Sequence, residues 1–200
     1  LRTLEMAQSA AAARAGTLAG MSARATPARG VKARSAEEDP MNAPLEWSDA
    51  LALQQPQMDA THQDFVVHLA ALAAALEDSR PQALDAALRR MVEHTEAHFE
   101  QEEGWMAALG FSAENCHSFQ HRHVLQVLRE VERLHLDDGD TRFTRQLVDE
   151  LAKWFPVHAS TMDAGLAQVM ADCGFDPETG HAQRTLAEAI SGCGSLACSD

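Results

Sequence analysis

The sequence has no tyrosine and only three tryptophans and seven phenylalanines in 200 residues, so any supporting phenol beside a reactive centre is missing. No run approaches the roughly 18 apolar residues of a membrane-spanning helix, and no membrane partner is expected. Positive charge is scarce: 16 Lys and Arg stand against 30 Asp and Glu, a formal net charge of −14. Nucleic-acid binding needs a basic surface that displaces counterions from phosphates, so that function class is excluded. The four cysteines (Cys116, Cys173, Cys193, Cys198) form no C-x-x-C pair and no zinc spacing. They read as free thiols of a cytoplasmic protein, with Cys193 and Cys198 close enough in sequence to pair under oxidation. No segment shows the alternation or β-branched enrichment of a strand. Histidine, by contrast, is abundant, with ten in an acidic chain.

Charge divides the chain. Residues 1–40 hold six basic residues (Arg2, Arg14, Arg24, Arg29, Lys32, Arg34) and four acids, whereas residues 41–200 hold ten basic and 26 acidic ones. The first segment is rich in Ala, Arg, Ser and Gly and poor in large apolar side chains. It cannot bury enough surface to offset the entropy of ordering and is expected to be disordered. Its bias is shared with organelle transit peptides, but the opening Leu1 favours Met41 as the natural start and 1–40 as an upstream extension.

From Met41 the texture changes. Trp47 and the Pro/Gln-rich stretch to Pro56 read as an extended arm, and four amphipathic helical patterns follow. They run over about 59–77, from Pro81 to near Gly110, from an N-cap at Ser112 to before 137–139, and from about Thr141 to Asp172. Long helices with short connections bury their faces by packing antiparallel around one core. The expectation is an all-α, up-down-up-down four-helix bundle over residues 41–175. Residues 176–200 form a peripheral tail, with a weak helical patch at Gln183–Ile190.

The inward stripes carry the chemistry. The second helix places Leu84, Leu88, Met91, Thr95, His98, Glu102, Trp105 and Leu109 at alternating intervals of four and three, the period of a bundle core. The third aligns His117, His121, Val124, Leu128 and Val131. The fourth aligns Leu147, Leu151, Trp154, His158, Met162, Gly165 and Val169, and in the first His62 leads Phe65, Val66, Leu69, Ala73 and Leu76. A single inward His is more often a core residue than a ligand. Five of them with carboxylates, one or more per helix, are different. Left unpaired, buried polar groups cost about 1–3 kcal/mol apiece, and metal coordination satisfies them together. Imidazole and carboxylate without thiolate suit iron, manganese or zinc. So many donors exceed one tetrahedral zinc and suit two metals sharing carboxylates. His158 and Asp163, five apart, are about 140° out of phase in a regular helix. Both reach one site only if the helix is locally unwound, by a π-type turn near Pro156.

Other candidates are set aside. His94 lies beside its stripe, in a surface or supporting position. His68, His123, His135 and His181 are expected in solvent, and Glu103 points away from the core. Glu114-x-x-His117 and Glu132-x-x-His135 match the ferritin-like signature locally, but both fall on one helix and cannot flank one centre.

Four motifs agree in order, interval and flanking residues: Asp59-Ala60-Thr61-His62; His98-Phe99-Glu100-Gln101-Glu102-Glu103 followed by Met106; His117-x-x-x-His121; and Trp154-x-x-x-His158-x-x-x-x-Asp163. With them the chain resembles hemerythrin in its bacterial single-domain form, over roughly Leu45 to Phe175. The resemblance implies two non-haem irons bridged by an oxo or hydroxo group. By position, His117, His121 and His158 would hold one iron and His62 and His98 the other, with Glu102 and Asp163 bridging. It further implies reversible O2 binding at the iron with fewer ligands, and so a non-enzymatic protein that stores, delivers or scavenges oxygen. Trp154 and Phe155 are then either the wall of the O2 pocket or ordinary core. Rival readings are an oxygen or redox sensor module, a di-iron enzyme consuming peroxide or nitric oxide, and an iron store. No protein partner is indicated.

Overall fold

The structure, a computed structural model, describes residues 44–78 and 80–184. The expected disordered extension, Cys193, Cys198 and nearly all of the Gln183–Ile190 patch lie outside the described residues. A short 3-10 turn (Asp49–Leu51) precedes α1 (Pro56–Glu77), α2 (Pro81–Leu109), α3 (Cys116–Asp138) and α4 (Thr141–His158). A π-helical turn (Ala159–Asp163) joins α4 to α5 (Ala164–Cys173), and two short strands follow, β1 (Phe175–Asp176) and β2 (His181–Ala182). Each of the first four helices packs on its sequence neighbour, and α1 also packs on α4, which closes the four-helix bundle. Among the described residues no helix is long and apolar enough to cross a membrane.

Local chemistry sets the helix limits, in two places differently from the sequence expectation. α1 begins at Pro56, not Asp59, because proline suits the first helical turn and the Gln55 side chain accepts the Met58 N–H. The Asp59 carboxylate instead accepts the Leu53 N–H at 2.7 Å, which ties the arm to the helix. α3 is capped by Asn115, whose Oδ1 accepts the Ser118 N–H at 2.9 Å. Ser112 does not cap it; its hydroxyl accepts the Glu114 N–H in the preceding loop. The paired strands are also a departure. They comprise two residues each, too short for any alternation to register. They are held from outside the ladder: Phe175 is buried among Met106, Leu109 and Met170, and the Trp105 indole N–H donates to the Pro177 carbonyl. At Gly174 (φ +59°) the chain turns so closely under Gln183 that a Cβ would sit 2.9 Å from its side chain.

The apolar interior is in two parts. One holds Phe65, Leu69, Leu88, Leu128, Leu151 and Phe155; the other, at the end nearer the hairpin, holds Met58, Trp105, Met106, Leu166 and Met170. Along α1, α2 and the fourth helical segment the polar stripe residues fall between the two, as a polar layer between apolar ones. The π turn also moves the fourth stripe by one position. Beyond His158 it passes through Asp163, Leu166 and Met170, not Met162 and Gly165.

Candidate metal centre

All seven residues expected as ligands meet in that polar layer, each no more than 2 % exposed. His62 comes from α1, His98 and Glu102 from α2, His117 and His121 from α3, His158 from the end of α4 and Asp163 from the end of the π turn. The i→i−5 bond from the Ala164 N–H to the Ala159 carbonyl marks the widened turn. By taking up the extra residue it brings Asp163 round to the side of His158. Pro156 itself is accommodated within α4, upstream of the distortion.

The carboxylates divide the imidazoles into two sets. Glu102 Oε1 faces His98 Nε2 at 3.1 Å and His62 Nε2 at 3.8 Å, while Oε2 faces His117 Nε2 and His121 Nε2, each at 3.3 Å. Asp163 Oδ2 faces His62 Nε2 at 3.3 Å, while Oδ1 faces His117 Nε2 at 3.0 Å and His158 Nε2 at 3.1 Å. One position is therefore surrounded by three imidazoles and two carboxylate oxygens, the other by two and two. Neighbouring donors around a first-row metal with bonds of about 2.1 Å lie about 3 Å apart, which matches most of these separations.

Several of these atoms have no other use. Nε2 of His62 and of His117, Glu102 Oε2 and both Asp163 oxygens are buried without a hydrogen-bond partner, although oppositely natured atoms lie near. His121 Nδ1 lies 3.1 Å from Glu103 Oε1 and His158 Nδ1 lies 3.0 Å from Gln120 Oε1. Each Nδ1 is thereby placed to donate its N–H outward, which leaves Nε2 of each ring directed at the centre. Those two Nε2 atoms stand 3.2 Å apart. Two lone pairs at that distance repel unless a proton or a cation lies between them. The residues fit a metal pair.

The electrostatics agree. Burial by itself would lower the imidazoles of His62 and His117, but Asp163 and Glu102 outweigh it and raise both to about 9. Burial would raise the two carboxylates, yet the surrounding imidazoles hold both well below their ordinary range. His158 is lowered, by burial and by the charges of His117 and His121. Without metal, protons supply the positive charge that the carboxylates require.

Around the seven candidate ligands lie residues that the helical pattern did not single out. Glu103 does not point idly away: besides His121 it accepts the Ser118 hydroxyl at 2.6 Å. Its signal was the adjacent acid pair Glu102-Glu103, one facing the core and the next turned about 100° toward α3. Gln120 carried no comparable signal. Phe99 stacks on His121 at 3.9 Å between ring centres. The two candidate pocket residues separate. Phe155 meets His62 edge-on at 5.0 Å, on the two-imidazole side, whereas Trp154 stacks on His158 at 4.3 Å, on the three-imidazole side. His135 is not solvated but buried, with Nε2 2.9 Å from Asp85 Oδ1. His68 and His123 are half-buried, and His181 is exposed as expected. His94 is half-buried between His68 and His98; burial and those two rings lower it to about 4.

Comparison with known proteins points the same way. A family model described as the hemerythrin HHE cation binding domain matches residues 55–169. A curated relative, the bacteriohemerythrin of Ralstonia nicotianae, is 40% identical over 132 residues, covering 66% of this chain and 93% of its own length. No solved structure matches significantly.

Proposed function

This chain belongs to the hemerythrin family, and on that premise we propose that it binds O2 reversibly at a pair of non-haem irons, without acting as an enzyme. His117, His121 and His158 would hold one iron and His62 and His98 the other, with Glu102 and Asp163 shared between them. The observation that carries this reading is the inequality of the two positions. One metal is offered three imidazoles and two carboxylate oxygens, while the other is offered one imidazole fewer. The second therefore keeps room for an exogenous ligand. When bound, two irons supply the two electrons that O2 takes up reversibly.

The protein's part is to hold, shield and balance. Glu102 and Asp163, each of which turns one oxygen to either set of imidazoles, would balance the positive charge of metals held there. Phe155, edge-on to His62 and stacked on Phe65 at 4.3 Å, presents hydrocarbon on the more open side. A dry wall there limits proton entry and premature loss of reduced oxygen. On the other side Trp154 and Phe99 clamp the planes of His158 and His121.

Metal analysis of the purified protein tests the premise, with two irons per chain expected. Reduced, iron-loaded protein exposed to air should develop a visible charge-transfer band and lose it under vacuum. Steady consumption of peroxide or nitric oxide with a reductant, in place of that reversible band, would overturn the reading in favour of an enzyme.

A further inference from the structure

We infer that Glu103 is a positioning residue that makes the two metal positions unequal in strength: its carboxylate, hydrogen-bonded to the Nδ1–H of His121, fixes that ring's tautomer and makes it the stronger donor. The inference rests on the metal-pair reading above and adds a residue outside the seven ligands.

Glu103 leaves α2 one residue after Glu102 and reaches across to α3. Oε1 accepts from His121 Nδ1 at 3.1 Å and Oε2 accepts from the Ser118 hydroxyl at 2.6 Å. Ser118 is itself fixed: Asn115 Nδ2 donates to its hydroxyl at 3.0 Å, and Asn115 Oδ1 accepts its N–H at the helix cap. The carboxylate is thus held at both oxygens. The His121 ring is held as firmly, since Phe99 lies parallel to it with an interplanar angle of 7°. Ring and carboxylate therefore keep their registration whether or not a metal is bound.

No such carboxylate serves three of the other four imidazoles. His158 Nδ1 faces the neutral carbonyl of Gln120, and Nδ1 of His62 and of His98 have no hydrogen-bond partner. A full negative charge on the far nitrogen pulls the proton outward and pushes electron density toward Nε2, which strengthens the bond to a metal and favours its higher oxidation state. A neutral acceptor does this weakly, and an absent one not at all. The three-imidazole position is accordingly the one that fills first and resists reduction. The two-imidazole position is the labile one that an outside ligand reaches.

The test is a stepwise anaerobic titration of metal-free, full-length protein with Fe(II), followed calorimetrically, together with the midpoint potential of the loaded protein. Wild type should bind in two steps of different affinity. Glu103→Ala should weaken the tighter step by about 10–100-fold, the usual cost of losing a ligand's outer partner, and leave the weaker step in place. Glu103→Gln keeps an acceptor without charge; it should weaken that step less and shift the potential upward. Ser118→Ala, which frees one carboxylate oxygen but keeps the backbone cap, should move both in the same direction by a smaller amount. An unchanged tight step in Glu103→Ala, or a loss confined to the weaker step, would overturn the inference. So would a Gln variant equal to wild type in potential, since charge would then not matter. Fewer than two metals in wild type would defeat the metal-pair reading itself, and the inference with it.

Discussion

The two halves of the polar layer are built from opposite surroundings. Around His121 and His158 the outward nitrogens meet Glu103 and Gln120, and flat rings clamp the imidazoles. On His62 and His98 the outward nitrogens have no hydrogen-bond partner, and the neighbouring rings include Phe155 and His94, whose imidazole is lowered to about 4. Under the proposed function, hydrogen bonds brace the half that would hold a metal most firmly, and a hydrocarbon wall suits the half that would admit a small apolar molecule and keep water out. Among the described residues only Glu102 and Asp163 face both sets of imidazoles.

Removing a shared group should erase the contrast. Glu102→Ala takes away the carboxylate that approaches four imidazoles, and metal analysis should find neither position filled at stoichiometric iron. Retention of two irons would mean that the bridge lies elsewhere. His62→Ala should separate the halves: one iron remains per chain, and the air-induced visible band is lost. Loss of both irons in that variant would show that the halves are not independent.

A smaller effect should follow from the hydrocarbon wall. Phe155→Ala empties a fully buried site and should destabilise the fold by about 3–5 kcal/mol in chemical unfolding. It should also speed irreversible oxidation in air. Trp154→Ala, at a half-buried position on the other side, should cost less stability and leave the oxidation rate near wild type. Equal oxidation rates in the two variants would remove the case for Phe155 as the pocket wall.

Smallest and most gradual is the response to pH. In metal-free protein His62 and His117 are raised from 6.5 to about 9, so their contribution to stability is full below pH 6.5 and disappears as the pH climbs through 9. Glu102 and Asp163 are depressed, so theirs is present above the ordinary carboxylate range and fades as the pH falls through their lowered values. Thermal unfolding of metal-free protein should therefore show a maximum on the acid side of neutrality, with a decline from 6.5 to 9. Iron must displace the same protons, so its affinity should rise over that interval, with protons released on binding. A flat alkaline limb in the metal-free protein would contradict this.

Most of the fold was legible in the chain because each helix declares itself locally. Intervals of three and four, Pro81 at a first turn and Gly110 at an end need no knowledge of the rest of the molecule. The π turn was legible for the same reason, since His158 and Asp163 could share a site only if one extra residue were absorbed between them. The misplaced cap at Ser112 and the unexpected hairpin have one cause. Both depend on what the loop packs against, Phe111 and Phe175 being buried under α2 and α5.

What the sequence by itself determined is the four long helical segments and the six donors, all but Asp163, that face inward on their stripes, for both are properties of a single periodicity read along one segment. Asp163 lies off that periodicity and reaches the others through the π turn. Only the tertiary structure decided which carboxylate oxygen serves which imidazole, and which imidazoles are braced. The decisive contacts join residues 18, 38 and 50 positions apart, Glu103 to His121, Gln120 to His158 and Asp85 to His135. Such contacts depend on the rotation and height of one helix against another. That is set by packing of the whole interior, and no local pattern encodes it.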